Sequence, residues 1–175
     1  MASGSDYAAR VHHGMLIFRD ERHVQGDIFN AADAYKVVTI NCVGAMGRGI
    51  ALSCKERFPR IYEDYRKRCR KNEIMVGHVY LYEDEKIILL PTKVHFKDRS
   101  EVVYVTKGID ALARLGNDLK AEVALPPLGM ANGWLRAHER CEIYHHLFRT
   151  LNPGEQHYRI YLPTTLYTEA KAALL

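Results

Sequence analysis

Short, nearly continuous apolar runs alternate along this chain with stretches in which apolar residues recur every three or four positions. Residues 37–43 (Val-Val-Thr-Ile-Asn-Cys-Val) are β-branched and almost unbroken, as a strand covered on both faces would be. Residues 79–82 and 86–90 are two more apolar runs, and Glu83, Asp84 and Glu85 between them predict a hairpin with a charged turn. Residues 123–125 and 158–162 are further strands, each stopped by proline. Helical spacing fills the gaps. A short helix from Ile50 to Arg57 is closed by Phe58-Pro59, because the residue before proline avoids the α region. Pro59 then fits the first turn of a second helix, whose Ile61, Tyr65 and Cys69 form a stripe at i, i+4, i+8. Val102, Val105, Ile109 and Leu112 repeat the spacing, with Ser100 as a cap, and Ile143, Tyr144, Leu147, Phe148 and Leu151 do so again. Strands alternating with helices predict a largely parallel sheet with helices on both faces.

Composition narrows the class without naming a function. A chain of 175 residues with no linker, repeat or low-complexity tract is one domain over residues 15–175, preceded by a loose polar tail over residues 1–14. The net charge of +4 permits an anionic partner but does not require one. No apolar run approaches the roughly 18–20 residues of a membrane span, and the N-terminus has no signal-peptide core, so a soluble cytoplasmic protein is expected. Cys42, Cys54, Cys69 and Cys141 show neither metal-ligand nor disulfide-framework spacing and read as free thiols. No metal and no cofactor is expected, since there is no His-x-x-x-His pair on a helix either. The basic run Arg66-Lys67-Arg68, with Arg70 and Lys71, fits a nucleic-acid patch. It fits equally the last turns of a helix, where cations meet the negative end of the dipole.

Two loops carry the chemical interest. Residues 41–51 end a buried strand, place three glycines (Gly44, Gly47, Gly49) in succession and open into a helix. Such a loop lets backbone approach a ligand closely, and the helix N-terminus offers unpaired N–H groups to an anion. It is neither a P-loop, which needs Gly-Lys-Ser/Thr, nor a dinucleotide fingerprint, since Leu52 stands three residues after Gly49. On glycine content alone a structural turn fits as well. The second loop, residues 126–135, has the same strand-to-helix setting and contains Gly129 and Gly133. Two such loops can face each other at the carboxyl ends of the strands, where α/β proteins bind ligands.

With these motifs in place the chain resembles the macrodomain family. Gly26-Asp27-Ile28, Asn41 followed by residues 44–51, Pro91-Thr92-Lys93-x-His95-Phe96, and Pro127-Leu128-Gly129 look like the branch that contains DarG-type DNA-ADP-ribosylation antitoxins and terminal ADP-ribose glycohydrolases. The resemblance covers roughly residues 15–165. It implies a three-layer α/β/α sandwich around a central mixed, largely parallel sheet. It also implies that Asp27, with Ile28 beside it, meets the adenine, and that Asn41 faces the distal ribose. Gly44, Gly47, Arg48, Gly49 and Ile50 would wrap the distal ribose and diphosphate from one side, and Gly129, Met130, Ala131, Asn132 and Gly133 from the other.

The resemblance makes Lys93 the catalytic candidate, acting on the anomeric carbon of the distal ribose. A nucleophilic lysine must lose its proton, so its pKa has to fall from about 10.4. His95 would lie on the same face if the segment is extended, and would tune Lys93 or shuttle a proton. Gly133 stands where some relatives carry an aspartate, which favours the DarG-like arrangement. Trp134 could stack on a base or anchor the next helix. The implied function is an ADP-ribosyl hydrolase whose substrate is ADP-ribose linked to a target, either thymine in DNA or an acidic protein side chain. A non-catalytic reader of ADP-ribose and an ADP-ribose 1″-phosphate phosphatase are the alternatives.

Overall fold

The computed structural model describes residues 15–131 and 134–175; the tail read for residues 1–14 and the candidate residues Asn132 and Gly133 lie outside them. Six strands form one sheet: β1 (Leu16–Asp20), β2 (Tyr35–Ile40), β3 (Tyr80–Tyr82), β4 (Ile87–Pro91), β5 (Val123–Leu125) and β6 (Tyr158–Leu162). Their spatial order is β1-β6-β5-β2-β4-β3, with every pairing parallel except the β3–β4 hairpin. The charged turn sets that hairpin in register at Tyr82 opposite Ile87.

Helices α1 (Gly49–Arg57), α2 (Pro59–Arg70), α3 (Val102–Gly116), α4 (Ala137–Leu151) and α5 (Thr164–Ala173) complete the chain. Side-chain alternation along the strands assigns each layer. Val37, Ile88 and Leu90 pack with Ile109 of α3, Ile143 of α4 and Ala170 of α5. Val38, Ile40, Ile87 and Leu89 turn the other way, onto Cys54 of α1 and Ile61 and Tyr65 of α2. Ile87 through Leu90 are all fully buried, which is why this strand reads as an unbroken apolar run. The result is the three-layer α/β/α sandwich with a mixed, largely parallel sheet. All four cysteines are free thiols. Among the described residues no helix is long and apolar enough to cross a membrane, and no cluster of three metal-ligating side chains occurs.

Two elements were not read from the sequence: strand β1, and helix α5 directly after Pro163. Ser100 is also not the cap of α3. Glu101 holds that position, without a side-chain capping hydrogen bond, while Ser100 is fully buried and its Oγ has no partner among the described residues.

The α3 layer lies very close to the sheet at Gly108. A Cβ there would come within 2.8 Å of Leu90 Cδ2 and 3.2 Å of its Cγ. Gly108→Val should therefore destabilise the fold by about 1–3 kcal/mol, the usual cost of overpacking. The gain in helix propensity over glycine is only a few tenths of a kcal/mol and does not offset it. Denaturant unfolding measures the difference; a midpoint equal to the parent's would mean that the α3–β4 contact is soft.

Candidate functional site

A cavity of about 510 Å³ opens at the carboxyl ends of the strands, between the first loop, the second loop and the chain after β4. At one end it is bounded by Gly26, Asp27, Ile28 and Phe29, and at the other by Thr92, Lys93 and Gly129. Gly49 and Ile50, from the start of α1, and Pro126, Ala131 and Tyr161 also line it.

The Asp27 end is built around a single turn of 3₁₀ helix. Asp27 Oδ1 accepts the Phe29 N–H at 2.9 Å, capping residues Ile28–Asn30, and its Oδ2 lies 3.2 Å from the Arg57 guanidinium. Arg57 in turn sits over the Phe29 ring, 4.7 Å from its centroid. The carboxylate is thus held at the cavity edge by two elements distant in sequence.

The first loop is shaped by Asn41. This side chain is buried and its amide is used within the loop: Oδ1 accepts from the N–H groups of Val43 (3.0 Å) and Ala45 (3.3 Å), and Nδ2 donates to the Ala45 carbonyl (2.8 Å). From α2, Tyr65 Oη lies 2.8 Å from both Oδ1 and the carbonyl oxygen of Asn41 and donates between them. Burial pushes the Tyr65 hydroxyl far above the ordinary tyrosine range, so it stays a donor. Gly44 belongs to the same clasp, at φ +87° and packed on Arg66 and Cys69 of α2. Gly47 is exposed, with nothing within 4 Å of where its Cβ would be. Arg48 is the N-cap of α1, and neither a side-chain cap nor an acidic residue occupies that helix's first turn. Gly49 and Ile50, whose N–H groups have no partner within the helix, line the cavity.

Lys93 follows β4 through an extension of the sheet. Thr92 N–H donates to Ile40 O at 3.0 Å, and Cys42 N–H donates to Val94 O at 2.8 Å. These two bonds fix the backbone on either side of Lys93 and set its half-buried side chain into the cavity. Burial lowers the ammonium pKa from the ordinary lysine value, and the Arg48 cation lowers it further, against a partial opposing effect of Asp98. Such a pair of causes is what a nucleophilic lysine requires.

Of the residues picked from the sequence, Asp27, Ile28, Gly49, Ile50, Lys93, Gly129 and Ala131 are brought together around the cavity. Asn41, Gly44, Gly47 and Arg48 sit in or behind the first loop and do not line the cavity. Met130 differs more: its side chain is buried in the main core with Val105 and Leu135, because the second loop turns inward there. His95 does not line the cavity that Lys93 lines. The chain bends at Val94 and His95 instead of staying extended, and His95 Nδ1 accepts the Lys97 N–H at 3.1 Å within the turn that follows. Within the basic run on α2, Arg68 pairs with Asp64 at 3.0 Å and lies over the rings of Tyr80 and Tyr82, and Arg66 lies over Tyr62. Phe29, Ser100 and Tyr161 line the cavity and were missed. Only Phe29 carried a signal, as the residue next to Asp27-Ile28.

The second loop is pinned beneath by the chain after β4. Gly129 adopts φ +72°, and a Cβ on it would come within 2.9 Å of Ser100 Oγ, so glycine is required here by conformation and by space together.

No family model matches the chain. A Mycobacterium tuberculosis protein named DNA ADP-ribosyl glycohydrolase is 38% identical over 117 residues, covering 63% of this chain and 33% of that protein. The chain therefore spans about a third of the length of that curated relative. Among solved structures, the macrodomain of M. tuberculosis DarG superposes with a TM-score of 0.71 at 33% identity, over 85% of this chain and 99% of that one. Thermosipho africanus DarTG in complex with ADP-ribose gives a TM-score of 0.71 at 29% identity, over 86% of this chain and 42% of that one.

Proposed function

Because this chain belongs to the macrodomain family, we propose that its cavity binds ADP-ribose and that Lys93 drives release of ADP-ribose from modified DNA. The observation that carries the reading is the position of Lys93: its amine, with a lowered pKa, stands at the end of the cavity between two glycine-containing loops. In this reading adenine occupies the Asp27 and Phe29 end, and the diphosphate runs along the open N-terminus of α1. The distal ribose then presents its anomeric carbon to Lys93. The neutral amine forms a bond to that carbon as the bond to the DNA base breaks. The base leaves with the proton that the alkylated lysine nitrogen gives up; water then attacks the same carbon, its proton returns to the lysine nitrogen as that bond breaks, and ADP-ribose is released. A protonated lysine would repel the positive charge that develops at this carbon, so the lowered pKa favours nucleophilic attack. Residues 15–175 are read as one such domain. A cytoplasmic location belongs to the same proposal and is supported by the four free thiols.

Calorimetry with ADP-ribose tests binding, and three substrates test the reaction: thymine-linked ADP-ribosyl DNA, ester-linked ADP-ribosyl protein and ADP-ribose 1″-phosphate. Release from the DNA substrate is expected. Release from the ester alone would move the target to protein, phosphate release alone would make the chain a phosphatase, and binding with no turnover would make it a reader.

Asp27→Ala should weaken ADP-ribose binding by about 10- to 150-fold, the worth of a charge-assisted hydrogen bond of roughly 1.5–3 kcal/mol. Asp27→Asn separates the causes, since asparagine keeps the cap on residues Ile28–Asn30 but loses the charge. Parental affinity in a folded Asp27→Ala protein would remove the adenine contact.

A further inference from the structure

On the two loops that bring Lys93 and Ala131 to the cavity, two large aromatic side chains stand out of the surface. Trp134 is 73% exposed and Phe96 is 51% exposed. Trp134 therefore does not anchor α4, and it is held at φ +57°, a left-handed conformation that is costly for a bulky residue. Phe96 rests against the His95 ring, centroids 4.4 Å apart, and about half of its surface stays exposed. The two loops adjoin. Arg99, three residues after Phe96, bonds to Glu139, and the same Glu139 Oε1 accepts the Arg136 N–H at 2.9 Å, two residues after Trp134. Gly129 of the Trp134 loop and Ser100 of the Phe96 loop touch directly beneath. Cations accompany the rings: Lys97 Nζ lies 5.9 Å from the Phe96 centroid, and Arg48 stands near enough to Lys93 to depress its pKa. Exposed Val43 and Val94 continue the apolar surface from the first loop.

We propose that this rim is a docking surface for single-stranded nucleic acid, with Phe96 and Trp134 stacking on bases that flank the modified nucleotide and Lys97 meeting the backbone. An acidic peptide would find the cations but would have no use for two flat exposed rings. Unpaired bases present π-faces at every residue and a phosphate between each, which matches alternating rings and cations. The proposal rests on the functional reading above, and it adds that the target is recognised beyond the ADP-ribose itself. Base stacking on one ring is worth about a 5- to 150-fold change in affinity.

The test uses the fact that Trp134 is the sole tryptophan of the chain. Unmodified single-stranded DNA should quench its fluorescence, with an affinity that falls as salt rises. Phe96→Ala should weaken that titration, and Phe96→Ala and Trp134→Ala should each raise KM for an ADP-ribosylated oligonucleotide by about 5- to 150-fold. Both should leave the affinity for free ADP-ribose unchanged. Trp134→Phe, which keeps a ring, should recover most of the loss. If the parent cleaves modified DNA and both alanine variants do so with parental KM, the docking surface is wrong while the functional reading stands. If the parent cleaves only ester-linked protein and DNA does not quench Trp134, both are overturned. Quenching by DNA that Phe96→Ala weakens, in a parent that cleaves no modified DNA, would keep the surface and overturn the reaction.

Discussion

Lys93→Ala will bind ADP-ribose with nearly parental affinity and will fail to release it from modified DNA, with turnover reduced by about 10²–10⁴-fold. The asymmetry follows from the role proposed for the amine. It supports the ring at one end of a cavity whose other walls supply most of the contact, so little ground-state binding is lost. In the proposed transition state the same amine is the attacking group, and His95, the other catalytic candidate, does not line the cavity. Lys93→Arg sharpens the test. Arginine keeps a cation at the site but does not deprotonate in proteins. It should therefore be as inactive as alanine if the amine is a nucleophile, and should retain activity if a positive charge is all that is needed. The pH profile gives a third reading. The folded pKa of Lys93 lies below the ordinary value near 10.5, so the neutral fraction, and with it the rate, should rise with pH through that lowered pKa and then level off. A parental rate in Lys93→Ala ends the lysine mechanism.

Gly47→Glu should reduce ADP-ribose affinity by two orders of magnitude or more, about 2.7 kcal/mol, while leaving the unfolding midpoint unchanged. Space and conformation both allow the side chain, since Gly47 does not need a positive φ and its Cβ would meet nothing within 4 Å. The harm comes from charge. A carboxylate two residues before Gly49 would settle on the free N–H groups of α1, where the ligand's diphosphate is to lie, and would repel that anion. Calorimetry on the folded variant decides the matter. Normal binding would mean that the first loop is a structural turn and that the ligand has been placed wrongly in the cavity.

What the sequence made legible, and what it hid, divides along the reach of each signal. The β3–β4 hairpin and helices α1 to α4 rest on contacts between residues near in sequence, and their periodicity states them directly. Strand β1 does not. It is five residues long and becomes a strand by pairing with β6 at the far end of the chain, Leu16 against Tyr158. Helix α5 is short, and its alanines give a faint stripe. Within the site, Asp27, Lys93 and Gly129 were legible only through the motifs of the resemblance; Lys93 and Gly129 follow β4 and β5, whose ends lie at the cavity. Met130 and His95 fall outside the cavity lining, since a loop's residues alternate between core and ligand by local turns that spacing does not encode. Ser100 looked like a cap by residue type, yet it is buried under Gly129, a contact between two loops that only the assembled sheet creates.

The clasp that Asn41 makes with Val43, Ala45 and Tyr65 has a kinetic consequence. A loop already fastened before the ligand arrives has little ordering left to do, so the entropy cost of closing it falls on folding and not on binding. Association should then be limited by diffusion and orientation, alike for ADP-ribose and its analogues. Differences among ligands will be written in how long each one stays.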